Sequence, residues 1–264
     1  MRRILLVLLI CLPILQARDA NAILYGASEG GIFYTIDPSN GLVSKITDTF
    51  PSISGLAFSN DGILYGSSPG GVFYTIDPAN GSVIKITDAF PIITGLAFSS
   101  GGTLYGSSQG GVFYTIDPIT GVVSKITDVF PRMSSLAFSQ EGALYGSSDG
   151  GVFYTIDSGN GFVSKIIDSF PVMNGLTFGE GILYGASSGG SFYTVDPGTG
   201  SVSKITDAFP RMGDIAFSRE DGREDDIEPS TVIPEPRTSL LLMLGLILFQ
   251  LTRDKYTKCR QASF

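Results

Sequence analysis

The tripeptide Leu-Tyr-Gly begins at residues 24, 64, 104, 144 and 183, so five copies of one unit follow one another at spacings of 40, 40, 40 and 39 residues. A period of that length restricts the chain to repeat architectures, in which each unit is one supersecondary element whose core its neighbours complete. The second copy shows what a unit contains: strand-like runs over 53–58, 63–67, 72–77 and 82–88. Turn chemistry separates them, with Asn60-Asp61-Gly62, then Pro69-Gly70-Gly71, then Asp77-Pro78-Ala79-Asn80-Gly81. Four short antiparallel strands in about forty residues make one blade of a β-propeller. A stacked β-helix has shorter coils and lacks hairpin turns of this kind.

The ends of the repeat region fix how such a ring closes. With the 53–58 type of run as the innermost strand, as in the WD-like and NHL-like propeller repeats that these units resemble, the region opens at residue 23 on a second strand. It finishes over 212–218 on an innermost one. The last strand then completes the first blade. The expected fold is all-β: a five-bladed β-propeller of 40-residue four-stranded repeats with three-plus-one closure over residues 23–218, its sheet edges protected. The 34 Gly and 14 Pro, against only 16% charged residues, suit many short strands joined by tight turns.

Residues that recur in every copy take structural roles. Phe33, Phe73, Phe113, Phe153 and Phe192 alternate with Tyr along the third strand, which puts one set of rings on each side of a blade. Asp37, Asp77, Asp117, Asp157 and Asp196 each open a turn whose Gly follows four residues on, the position of a turn cap. Lys45, Lys85, Lys125, Lys165 and Lys204 fall on the outermost strand, where Lys discourages edge pairing.

Both ends of the chain differ from the repeats. Arg2-Arg3, an apolar run over 4–15 and Ala20-Asn21-Ala22 read as a signal peptide over 1–22, cleaved near Ala22. As a helix that run reaches only about 18 Å, short of a hydrocarbon core of roughly 30 Å. Residues 219–231 are an acidic linker. Pro234-Glu235-Pro236 follows, then a candidate transmembrane helix at about 238–252, then Arg253, Lys255, Lys258 and Arg260, a basic end that suits the cytoplasmic side. In this order of triplet, helix and positive charge, 232–264 resembles the PEP-CTERM sorting tail of Gram-negative bacteria, although the resemblance covers only the last thirty or so residues. It implies a protein that is exported, held in the inner membrane by its C-terminal helix, and processed near the triplet by an exosortase-type enzyme. The destination implied is the cell surface or extracellular matrix, within exopolysaccharide or biofilm. A plain C-terminal anchor without processing is the competing reading.

A net charge of −8 argues against a nucleic-acid partner, because phosphate binding relies on a basic patch. The two Cys, Cys11 and Cys259, lie in the end segments, so no disulfide framework is implied. The chain has no His, which removes the usual metal ligand and general base, and no metal or cofactor is expected. Its Gly-Gly steps lack the Lys-Ser/Thr of a phosphate loop. Binding residues are therefore sought where the copies differ. The loops between second and third strands carry Glu29, Pro69, Gln109, Asp149 and Ser188, and those entering the innermost strand carry Ser52, Ile92, Arg132, Val172 and Arg211. With WD-like topology both sets share one face, which makes Glu29, Gln109, Arg132, Asp149 and Arg211 candidates. Asp214 joins them, since it replaces the Gly or Ser of the other copies and would point toward the channel. Turns on the opposite face vary as freely, so drift at exposed turns competes with function. The expectation is a non-enzymatic propeller that binds polysaccharide or a surface protein, or serves a structural role. The alternatives are a glycosidase using a carboxylate such as Glu29 or Asp149, and an anchored periplasmic interaction protein.

Overall fold

A computed structural model describes residues 23–218 of the 264. They form twenty strands in five four-stranded antiparallel sheets. The first sheet joins β1 (Ile23–Ser28), β2 (Phe33–Ile36) and β3 (Val43–Thr47) to the last strand, β20 (Met212–Ser218), in the order β20-β1-β2-β3. The second blade is β4 (Gly55–Phe58), β5 (Leu64–Ser67), β6 (Phe73–Ile76) and β7 (Val83–Thr87). The third is β8 (Ile93–Phe98), β9 (Leu104–Ser108), β10 (Phe113–Ile116) and β11 (Val123–Thr127). The fourth is β12 (Met133–Phe138), β13 (Leu144–Ser148), β14 (Phe153–Ile156) and β15 (Val163–Ile167). The fifth is β16 (Met173–Gly179), β17 (Ile182–Ser187), β18 (Phe192–Val195) and β19 (Val202–Thr206). The five-bladed ring and its three-plus-one closure are thus as the repeat arithmetic expects. The expected signal peptide, acidic linker, sorting tail and transmembrane helix lie outside the described residues. Among those described, no helix is long and apolar enough to cross a membrane.

Period-2 patterning explains why these segments are strands. Phe-Tyr-Thr-Ile in the third position of four blades, and Phe-Tyr-Thr-Val in the fifth, consist of good strand formers. The Phe is fully buried on one side of the sheet, while the Tyr packs half-buried on the other. Register repeats from blade to blade, Leu24 facing Ile36 in the first and Leu64 facing Ile76 in the second.

The apolar core is divided into five clusters, one between each pair of neighbouring blades. Tyr25, Phe33 and Phe50 of the first blade pack with Ile53, Leu56 and Leu64 of the second. Rings stack in series there, Tyr25 to Phe33 at 5.7 Å and Phe33 to Phe50 at 4.6 Å, while Phe58 of the second blade tilts against Tyr25 at 5.5 Å. The corresponding cluster of Leu24, Ile36, Tyr184, Phe192 and Phe209 joins the first blade to the fifth and closes the ring.

The repeated acids hold turns. Asp77 Oδ1 accepts from the Ala79 N–H at 2.9 Å and Oδ2 from the Asn80 amide at 2.7 Å. Asp157, which no Pro follows, caps the same turn through the Gly159 N–H at 2.9 Å. On the outermost strands each repeated Lys pairs with the Asp three residues on, as Lys85 does with Asp88 at 2.7 Å.

Candidate functional site

Innermost strands pair on one side only, so half of their backbone groups face the channel axis. The Ser59, Ser99 and Ser139 N–H groups donate to Ile63, Thr103 and Ala143 carbonyls at 2.8, 2.9 and 2.8 Å, across the hairpin to the second strand. Alternation then directs the N–H groups of Phe58, Phe98 and Phe138, and of Leu56, Leu96 and Leu136 two residues earlier, toward the axis. Side chains of these strands lie mostly between blades.

Midway along the channel stands Asp214, which is 1% exposed. Its Oδ2 accepts from the Leu56 N–H of the second blade at 2.7 Å and its Oδ1 from its own strand's Ile215 N–H at 2.8 Å. Ser135 of the fourth blade, whose Oγ accepts from the Leu176 N–H of the fifth at 2.7 Å, also hydrogen-bonds Asp214. One carboxyl and one hydroxyl thus tie the inner strands of four blades across the axis. Burial pushes the Asp214 carboxyl well above the usual carboxylate range, against the pull of the Leu56 and Ile215 N–H groups and the Ser135 hydroxyl. The equivalent residues in the other blades are Gly55, Gly95, Ser135 and Gly175, and a Cβ on Gly175 would come within 3.1 Å of Asp214 Oδ1.

A second set of contacts staples neighbouring blades one residue earlier. Ser54 Oγ donates to the Ile93 carbonyl at 2.6 Å and Thr94 Oγ1 to the Met133 carbonyl at 2.6 Å. Asn174 Nδ2 reaches both the Met212 carbonyl and Glu29 Oε1, each at 3.2 Å. Gly213 has no such side chain, and a Cβ there would collide with the Ile53 carbonyl.

The two variable loop sets do meet on one face. Glu29 N–H donates to the Arg211 carbonyl at 3.2 Å, Asp149 N–H to that of Arg132 at 3.2 Å, and Gln109 N–H to that of Ile92 at 3.0 Å. All five candidate side chains there are exposed. Blades four, five and one are consecutive in the ring. They gather Arg132, Asp149, Asn174, Glu29 and Arg211 into one charged sector, whereas blades two and three present Ser52, Pro69, Ile92 and Gln109. Among the described residues the ion pairs are the five Lys–Asp pairs of the outer strands, none of them in this sector, where Asn174 meets the Glu29 carboxylate. Asp214 stands apart from this sector, in the channel interior.

The opposite face carries the channel's open mouth, a cavity of about 240 Å³. Phe58, Phe98, Phe138, Phe178 and Phe217 surround it, with Ala57, Ala97, Ala137, Ala216 and Thr177 between them and Asn60 and Ser100 at the rim. Thr177 Oγ1 accepts from the Phe217 N–H at 3.2 Å, whereas Ala at the equivalent positions gives the other blades no such acceptor. Sequence reading missed this mouth because backbone edges make it. Asn174 and Thr177 were also missed, although each breaks the repeat pattern and could have been noticed on that ground. Among the described residues no three His, Cys, Asp or Glu side chains converge as a metal site.

No family model matches the chain, and no curated protein does. Among solved structures it is similar to one from work on the de novo evolutionary emergence of a symmetrical protein, at 21% identity and a TM-score of 0.54, over 73% of this chain and 93% of that one. It is also similar to a structural-genomics protein of unknown function from Bacteroides thetaiotaomicron, at 16% identity and a TM-score of 0.52, over 70% of this chain and 55% of that one. At these identities the likeness shows the propeller fold alone.

Proposed function

We propose that this is an exported propeller of the cell surface or matrix, sorted through its PEP-CTERM-like tail, that binds a polysaccharide or a surface protein without catalysing a reaction. The observation that carries the binding role is the charged sector of Arg132, Asp149, Asn174, Glu29 and Arg211, an asymmetry built onto blades that are otherwise near copies. Selection for folding alone gives no reason to confine charge to three consecutive blades, whereas recognition of a polar partner does. A non-catalytic role is supported by where the repeated acids go, since they cap turns or pair with Lys.

Native cells are fractionated, comparing the normal chain with one in which Pro234, Glu235 and Pro236 are all Ala, and each product is weighed by mass spectrometry. A shortened normal product outside the cell, with the variant retained in the membrane, is expected. An uncut product in the inner membrane for both would make the tail a plain anchor. Binding is read separately as retention of the protein on cell-surface polysaccharide, expected to be lost when Arg132 and Arg211 are both replaced by Ala.

A further inference from the structure

We propose that the channel mouth on the face opposite the charged sector is a second binding site, for one neutral, hexose-sized sugar unit entering end-on. The cavity of about 240 Å³ accommodates a single sugar ring and is small for anything much larger. Its inner wall is unpaired strand edge. Such an edge presents N–H donors and C=O acceptors side by side, and both need partners. Deeper in the channel Asp214 and Ser135 take three such groups, the Leu56, Ile215 and Leu176 N–H. At the mouth only the Phe217 N–H has such an acceptor, Thr177. The axis-directed N–H groups of Phe58, Phe98 and Phe138 are left to whatever fills the cavity.

A ring of hydroxyls, each both donor and acceptor, matches a wall that offers both. The lining Ala and Phe residues make the rest of the wall apolar, which suits the C–H face of such a ring. Charge argues against an anionic guest. The hairpin turns on this face carry the exposed acids Asp61, Glu141 and Glu180. A uronic acid would meet these carboxylates at the rim, whereas a neutral hexose carries no charge for them to repel.

This site lies on the other face from the one invoked for surface binding, and the test separates the two. The full chain in detergent is titrated calorimetrically with the methyl glycosides of glucose, galactose and mannose, and with glucuronic acid. Saturable binding of at least one neutral glycoside is expected, at least tenfold tighter than glucuronic acid. Ser100→Trp, an exposed rim substitution that roofs the mouth, should weaken it at least tenfold. Gln140→Trp, on the equivalent turn of the fourth blade, should do the same, with thermal unfolding confirming that each variant is folded. The double replacement of Arg132 and Arg211 should leave it unchanged. Absence of saturable binding by every neutral glycoside overturns the proposal, as does preference for glucuronic acid. So does binding that both Trp variants retain, or that only the Arg replacements abolish.

Discussion

Position decides what a polar side chain does in this ring. Ser147 Oγ donates to the Met173 carbonyl at 2.8 Å and the equivalent Ser67 Oγ to the Ile93 carbonyl at 3.1 Å, while the equivalent Ser107 Oγ is buried without a partner. The first and fifth blades place Ala27 and Ala186 at the same point, so the fold accepts Ala there. Ser107→Ala should therefore leave stability unchanged or raise it by up to about 1 kcal/mol, and Ser147→Ala should lower it by about 1 kcal/mol, read from urea midpoints at constant slope. Asp214 gives a pH dependence of opposite sense to the exposed acids. Its folded pKa lies above the unfolded value, so the native state holds the extra proton and stability declines as pH rises from about 4 through the folded pKa. For Asp117 and Asp196, held below the usual range first by the hydroxyls of Thr120 and Thr199, stability is lost as pH falls through the folded pKa. Melting curves of the normal chain and Asp214→Asn across pH 4 to 8 should show the decline only in the normal chain. Parallel curves would mean that Asp214 does not titrate in that window.

Hairpins show how much of the element scale was legible. The strict spacing, with Gly and Asn-Asp punctuation, located every strand to within a residue or two, because a blade's turns are local chemistry. The shortened fifth unit was visible as a spacing of 39 residues, but its consequence was not. In the second blade the turn places only Gly62 at positive φ, at 79°. Loss of one residue leaves β16 and β17 joined by Glu180 and Gly181 alone, at φ of 52° and 81°, a two-residue turn that forces a charged residue into the left-handed region. Glu180→Asn should relieve that strain and stabilise the chain by about 1 kcal/mol. Asn60→Gly, in a turn whose Asn carries no positive φ and ties to the Ser100 carbonyl at 2.9 Å, should not stabilise. Depth was harder to read than order. Asp214 is three residues from Arg211, and along a strand that is about 10 Å. The one side chain is exposed on the loop face while the other is buried in the channel, a separation that loop variation alone does not signal.

At the scale of the whole ring, near identity of the blades creates a problem that the closing strand has to solve. Strands β1 to β3 lack an innermost strand of their own, and any of five similar inner strands, from this chain or another, offers nearly the same pairing surface. Such redundancy favours exchange between chains during folding. Two adjacent residues make β20 different. Gly213 admits the Ile53 carbonyl where a Cβ could not fit, and Asp214 takes the Leu56 N–H of the second blade and joins Ser135 across the axis. No other inner strand carries a Gly-Asp pair there, since the equivalents are Ser54-Gly55, Thr94-Gly95, Ser134-Ser135 and Asn174-Gly175. The seam between first and second blades is therefore specific to β20 and tighter than the rest. Gly213→Ala should cost about 1 to 3 kcal/mol, the usual penalty for overpacking, and should shift refolded protein from monomer toward exchanged dimers and larger rings on light-scattering chromatography. Asn174→Gly, which removes hydrogen bonds at another seam without a collision, should cost only about 1 kcal/mol and leave the refolded protein monomeric. Equal behaviour of the two variants would mean that the seams are interchangeable and that β20 owes its place to chain connectivity alone.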